Sequence, residues 1–323
     1  MPEHARRARR TDQRVFTLVT GLLVALLALT LLSWTTAGDP SDERASEALE
    51  DWGADSDEKS GWGPSGGERS GPLPGMVEEP DRPSGYAALV ANPLYGTGRL
   101  SPLPCPAPEL DVTDQDSMEA FLHRMADCLD DAWSTQFERA GIPFTPPQRV
   151  FWDEPGASPC RTYPSQAGAF YCRASASIYI GTGDVVEKWN GTRNGAVYVS
   201  LLAHEYGHHV QGESGLLEYY HEQRQLEEDE RARNSWTRRS ELQANCLAGA
   251  FLGSVRVGYP LTDDDLETLI TDAKATADRA DGPEEERTHG SAENSARWML
   301  TGWEEQTPGA CNTWGVADLS LVE

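Results

Sequence analysis

Apolar and polar positions along the chain follow three regimes. Val15 to Trp34, "VFTLVTGLLVALLALTLLSW", is a run of twenty residues without a charge; at about 1.5 Å per residue a helix of that length spans about 30 Å, the thickness of a bilayer's hydrocarbon core. From residue 35 to about 84 the apolar positions thin out among Asp, Glu, Gly, Ser and Pro, as in "GADSDEKSGWGPSGGERSGPLPG", and no period survives. Such a segment buries too little apolar surface to offset its ordering entropy, so it reads as a disordered acidic linker.

Beyond Gly85 the periodicity returns. Met118, Phe121, Leu122, Met125, Cys128, Leu129 and Trp133 recur every 3.6 residues and predict an amphipathic helix over "DSMEAFLHRMADCLDDAW". "QRVFWDE", "GAFYCRA" and "SIYIGTG" read as short strands bounded by Gly and Pro. Val197, Leu201 and Leu202, punctuated by Gly195 and Gly212, predict a helix from about Ala196 to Gln211. A further helical pattern (Leu242, Cys246, Ala250; Leu247, Phe251) starts near Glu241, and the charged stretch from Glu218 to Arg239 reads as a solvated helix or helical hairpin joining the two. The expected fold class is α+β, mainly helical with a small sheet ahead of the 196–211 helix. Four segments follow: a basic tail (1–14), a transmembrane helix (15–34), the linker (35–84) and a folded domain (85–323).

Charge orients this layout. A net charge of −25 argues against nucleic acid as a partner. The five Arg of residues 1–14 keep the N-terminus cytoplasmic and place everything after Trp34 outside the cell membrane, in a single pass. The rival is a signal peptide cleaved after Thr35-Thr36-Ala37, giving a mature chain from near Gly38; the apolar run exceeds the usual h-region of about 7 to 15 residues, which favours a retained anchor. All six cysteines lie beyond the span, where disulfides form. Proximity favours Cys105 with Cys128 and Cys160 with Cys172, leaving Cys246 with Cys311; without any CxxC spacing, a cysteine metal site is the weaker reading.

The candidate chemistry lies in "HEYGHHVQ" at 204–211. Positions i and i+4 share a helix face, so His204 and His208 can reach one ion, while Glu205, turned about 100° away, suits a carboxylate that works on a water rather than on the metal. HExxH arises by accident about once in a hundred chains of this length, so it needs company. A catalytic zinc wants three protein ligands. Glu241, in "RRSELQANCLAGAFLG", is the candidate third; its bland alternative is an acid that complements a helix dipole. Asn245, one turn on, is placed to hydrogen-bond the back of a ligand imidazole. Gly207, costly in a helix interior, suggests the close approach of another backbone or of a substrate, the plainer alternative being simple tolerance.

With "ELQANCLAG" at 241–249, "THGS" at 288–291 and Cys311 in "ACNTWG", these blocks resemble, over roughly residues 90 to 315, the neutral zinc metallopeptidases of bacteria. The resemblance implies a zincin with one Zn2+ held by His204, His208 and Glu241, and with Glu205 as catalytic carboxylate. That family usually has Asp where this chain has Asn245. An amide accepts a hydrogen bond from a His ring but supplies no charge, so ligand basicity is expected to differ.

The activity expected is hydrolysis of peptide or protein substrates by a membrane-anchored peptidase, with Glu205 as general base and His289 as the electrophile for the tetrahedral intermediate. The plainer role of the His289 segment is a capping loop around Ser291. The alternative function is a catalytically weak or inactive zinc-binding scaffold for cell-envelope partners, against which Glu205 argues, since a scaffold has no use for a base.

Overall fold

A computed structural model describes residues 82–106, 108–164 and 168–323. The expected tail, transmembrane helix and linker up to residue 81 lie outside the described residues, among which no helix is long and apolar enough to cross a membrane.

Helix α1 (Gly85–Val90) and a 3-10 turn (Pro93–Gly96) lead to α2 (Gln115–Ala140). The Asp114 side chain caps α2 by accepting from the Asp116 N–H, and Gly141, at φ 68°, ends it in the left-handed region that glycine adopts without strain. Its buried stripe, Met118 through Trp133, is the one the period predicts, and it continues to Phe137.

A three-stranded sheet follows, made of β1 (Gln148–Trp152), β4 (Ala169–Cys172) and β5 (Ser177–Gly181) in the order β1-β5-β4. The central strand β5 is buried at every position; it runs parallel to β1 (Val150 opposite Tyr179) and antiparallel to β4 (Tyr171 opposite Ile178). Among the described residues strand β4 is therefore an edge. The small antiparallel pair β2 (Gly156–Ala157) and β3 (Thr162–Tyr163), which no alternation announces, sits between β1 and β4 in the chain.

The remaining elements are helical: α3 (Thr182–Lys188), α4 (Gly195–Glu213), α5 (Leu216–Leu226), α6 (Glu230–Val255), α7 (Asp263–Ala275) and α8 (Ala292–Glu305). Helix α4 is buried nearly all round, as a helix must be when other elements enclose it, here α2, α6, α7 and the sheet. Where α4 crosses α6, a Cβ on Gly207 would lie 3.1 Å from both the Cα and the carbonyl oxygen of Ala244, so the approaching group is a neighbouring backbone. Helices α6 and α8 meet along a second glycine seam. A Cβ on Gly249, Gly253 or Gly302 would penetrate the carbonyl oxygen of Met299, Trp303 or Cys246 respectively.

The helix carrying Glu241 does not start there, as the apolar pattern implied. It begins eleven residues earlier, where the Asp229 carboxylate accepts from the N–H groups of Arg231 and Ala232, so Glu241 is mid-helix and buried and the dipole-complementing role does not apply. The stretch 218–239 is thus α5 plus the first turns of α6. Three disulfides, Cys105–Cys128, Cys160–Cys172 and Cys246–Cys311, tie α2 to the preceding loop, β4 to the turn between β2 and β3, and α6 to a 3-10 turn (Pro308–Cys311).

Candidate metal centre

Helix α4 delivers His204 and His208 from one face, their rings perpendicular with centroids 4.8 Å apart. Helix α6, pressed on α4 at Gly207, delivers Glu241 between them. Glu241 Oε2 lies 3.2 Å from His204 Nε2 and 3.4 Å from His208 Nε2. Zinc bonds of about 2.0–2.1 Å in tetrahedral geometry separate ligand atoms by about 3.3 Å, so both Glu241 edges match the spacing of corners around one ion, and all three ligand atoms lie within 4.8 Å of one another. Among the described residues they form the one group of His, Cys, Asp or Glu able to hold a metal. Glu241 Oε2 is buried without a well-aligned hydrogen bond, a costly state for a carboxylate oxygen unless a cation faces it. The donor set fits zinc.

The outer nitrogens of both rings meet carboxamides. His204 Nδ1 is 2.9 Å from Asn245 Oδ1, and His208 Nδ1 is 2.9 Å from Gln211 Oε1. Asn245 in turn donates to Ser295 Oγ at 3.3 Å. Gln211 did not stand out in the sequence, although it lies three residues after His208 on the same helix and i, i+3 spacing could have flagged it.

His289 approaches from the loop before α8. Its Nε2 lies 4.0 Å from Glu241 Oε2, more than a coordination edge, so it is a neighbour of the three-residue group rather than a member of it. Its Nδ1 lies 2.8 Å from Thr288 Oγ1. The loop is clamped by Asp278, whose carboxylate accepts the backbone N–H groups of Thr288, His289 and Gly290 at 2.9, 2.9 and 2.6 Å. Nothing local in the sequence announces Asp278, which precedes the loop by ten residues. Of the roles weighed for "THGS", the cap is present: Ser291 accepts from the Asn294 N–H at the start of α8.

Glu205 is buried beside His204. Burial pushes its carboxyl above the usual range, opposed by His204 and His208 and by the Tyr171 backbone N–H of edge strand β4. His209, the third imidazole of the run, lies off the metal face. Its Nε2 is 2.8 Å from the Thr145 carbonyl oxygen and its Nδ1 is 3.3 Å from the Tyr171 hydroxyl, and burial holds its pKa down at about 4.

Burial also pulls the His208 pKa down in the metal-free protein, but the Glu241 carboxylate outweighs it and lifts the value to about 9. Glu241, pushed up by burial, is brought well below the carboxylate range by His208 and His204. At neutral pH a bound metal must therefore displace a proton from His208. Apparent zinc affinity is expected to rise about tenfold per pH unit from pH 7 towards 9 and to level off above, in chelator competition at several pH values. The same raised pKa stabilises the metal-free fold fully below the ordinary His value and is lost as pH rises through about 9. A zinc affinity flat between pH 7 and 9 would show His208 to be neutral before metal binds.

The chain matches, over residues 106–314, the family described as "Putative neutral zinc metallopeptidase". It is 30% identical over 213 residues to the uncharacterized protein YpfJ of Escherichia coli strain K12, a span covering 62% of this chain and 73% of that protein. It is 31% identical over 194 residues to the uncharacterized protein Rv2575 of Mycobacterium tuberculosis strain H37Rv, covering 54% of this chain and 64% of the relative. No solved structure matches.

Proposed function

The chain belongs to this neutral zinc metallopeptidase family, and from that premise we propose that it is a membrane-anchored peptidase that hydrolyses peptide bonds in protein substrates, with Glu205 as general base. The observation that carries the reading is the convergence of His204, His208 and Glu241 at coordination spacing with a buried carboxylate, Glu205, next to the first of them.

Zinc held by these three residues supplies a Lewis acid that makes water nucleophilic near neutral pH. Glu205 accepts the proton of the attacking water and passes it to the departing amine, a dual role that a carboxyl with a pKa raised by burial performs well. His289 donates from Nε2 to the oxygen that gains charge, a tautomer consistent with Thr288 Oγ1 donating to Nδ1. The unpaired side of β4 offers backbone groups to an extended substrate, and the Tyr171 N–H, already turned towards Glu205, fixes how near that strand stands to the base. Residues 15–34 anchor the chain, with the N-terminus cytoplasmic and the peptidase domain outside.

The test is turnover of denatured casein by the full-length chain loaded with one zinc per chain. Hydrolysis should disappear with 1,10-phenanthroline and return on adding zinc. Bound zinc with no turnover would favour the scaffold reading instead. For the anchor, the chain should fractionate with membranes and its domain should be cleaved by external protease in intact cells; a soluble mature chain beginning near Gly38 would replace the anchor with a cleaved signal.

Asn245 gives a graded prediction. A carboxylate in its place would polarise the His204 ring more strongly, and changes in such supporting partners shift metal affinity by about 10- to 100-fold. Asn245→Asp, nearly isosteric, should tighten zinc binding about tenfold with little change in folding. Equal or weaker binding would mean that the Asn245 amide does not tune the metal.

A further inference from the structure

Each of the sequence blocks at 204–211, 241–249 and 311–314 contributes side chains that the metal site does not use directly, and these meet behind His208. Gln243, on α6, is the centre of the group. Its Nε2 donates to the Cys311 carbonyl oxygen at 3.0 Å and to the Tyr95 hydroxyl at 2.9 Å, while its Oε1 accepts from Trp314 Nε1 at 3.3 Å and from Gln211 Nε2 at 3.0 Å. Gln211 Nε2 also donates to the Ser240 carbonyl oxygen at 2.8 Å, and Gln211 Oε1 accepts from Ser240 Oγ at 3.0 Å. Gln211, Ser240 and Gln243 are buried.

The polarity of this chain of amides is forced. A carbonyl oxygen only accepts and an indole N–H only donates. The Cys311 carbonyl therefore turns the amide nitrogen of Gln243 towards itself, and the Trp314 indole turns the oxygen the other way. The Tyr95 hydroxyl, which donates to the Leu89 carbonyl oxygen at 2.9 Å, must accept from Gln243 and agrees with that orientation. Gln243 Oε1 and the Ser240 carbonyl then demand the nitrogen of Gln211, which leaves Gln211 Oε1 pointing at His208 Nδ1. An oxygen there requires that nitrogen to carry the proton. The amide that meets His204, Asn245, donates instead to the Ser295 hydroxyl, a group that donates or accepts equally well.

We infer that Gln211 and Gln243 are positioning residues that transmit the fixed polarity of the Cys311–Trp314 segment to His208, so that the ring keeps its proton on Nδ1 when Nε2 meets the metal. This rests on the metal site proposed above and not on peptide hydrolysis. It also gives the turn after α8 a part in metal binding, although that turn supplies no ligand.

The experiment uses the full-length chain labelled with 15N-histidine. In the zinc-loaded protein, long-range 15N–1H correlations of His208 should show Nδ1 protonated and Nε2 bare, with the Nδ1–H protected from solvent exchange by its bond to Gln211; in the metal-free protein the Glu241 carboxylate, 3.4 Å from Nε2, competes for the proton. In chelator competition, Gln211→Met should weaken zinc binding by about 10- to 100-fold and Gln243→Met, acting through Gln211, by about three- to tenfold. Both variants should expose the His208 Nδ1–H to faster solvent exchange in the zinc-loaded protein. A zinc-loaded parent in which His208 Nδ1 carries no protected proton overturns the inference whether or not the variants fold. Folded Gln243→Met protein with the zinc affinity and Nδ1–H exchange rate of the parent overturns the relay as well. A chain that shows these signatures but cuts no casein leaves the inference standing and removes only the peptidase reading.

Discussion

Glu205→Gln should retain one zinc per chain and lose hydrolysis of denatured casein by about 10²- to 10⁴-fold, the usual contribution of a positioned acid or base. The substitution is nearly isosteric, and Glu205 is not one of the three atoms at coordination spacing, so metal content is expected to hold. What disappears is the proton acceptor. The amide of Gln still accepts the Tyr171 N–H, which isolates the chemical defect from any movement of β4. Turnover equal to that of the parent would remove the general-base assignment. Loss of zinc would instead mean that Glu205 is a ligand and that the corners around the ion have been misassigned.

The second large effect concerns folding. Replacing Cys246 and Cys311 together by Ser opens a covalent loop with a sequence separation of 65, for which chain-entropy arguments give a loss of about 4 kcal/mol. Replacing Cys160 and Cys172, separated by 12, should cost about 3 kcal/mol by the same relation. Urea denaturation of the two pair variants should therefore rank them in that order. Zinc affinity should fall in the first variant alone, because Cys311 lends its carbonyl to Gln243. A loss below about 1 kcal/mol on opening the longer loop would show that α6, α8 and the turn between Pro308 and Cys311 hold one another without the bridge.

The sequence made some of this legible and not the rest, for physical reasons. A 3.6-residue period survives where a helix buries a stripe, so α2 could be placed; α4, buried nearly all round, was bounded instead by Gly195 and Gly212 around Val197, Leu201 and Leu202, which gave the shared face of His204 and His208. The start of α6 could not be found the same way. Its first turns are polar and largely half-exposed, and the capping Asp229 sits in a run of acids, "EEDE", where no single residue stands out. The four-residue interval from Glu241 to Asn245 put both on one face of that helix, and Asn245 Oδ1 lies 2.9 Å from His204 Nδ1. Bounding Gly and Pro marked β1, β4 and β5 but said nothing of β5 lying between the others, since that order depends on long-range pairing. The clamp of Asp278 on residues 288–290 and the Tyr171 N–H on Glu205 join segments far apart in the chain, and no local pattern encodes either.

The glycines of the helix crossings bear on how such a centre can be copied. Helices commonly pack with axes about 8–10 Å apart, set by the side chains between them. Here Gly207 lets α6 settle against α4, and Gly249, Gly253 and Gly302 let α8 press α6 from behind, so the position of Glu241 is set by main chain against main chain. His204, His208 and Glu241 transplanted onto an ordinary helix pair would keep their identities and spacing in sequence, yet stand farther apart by about the thickness of a methyl group. One ion could not then reach all three. The portable unit is the bare backbone contact, and a search for working copies of this centre in other scaffolds should screen for facing glycines before it screens for ligands.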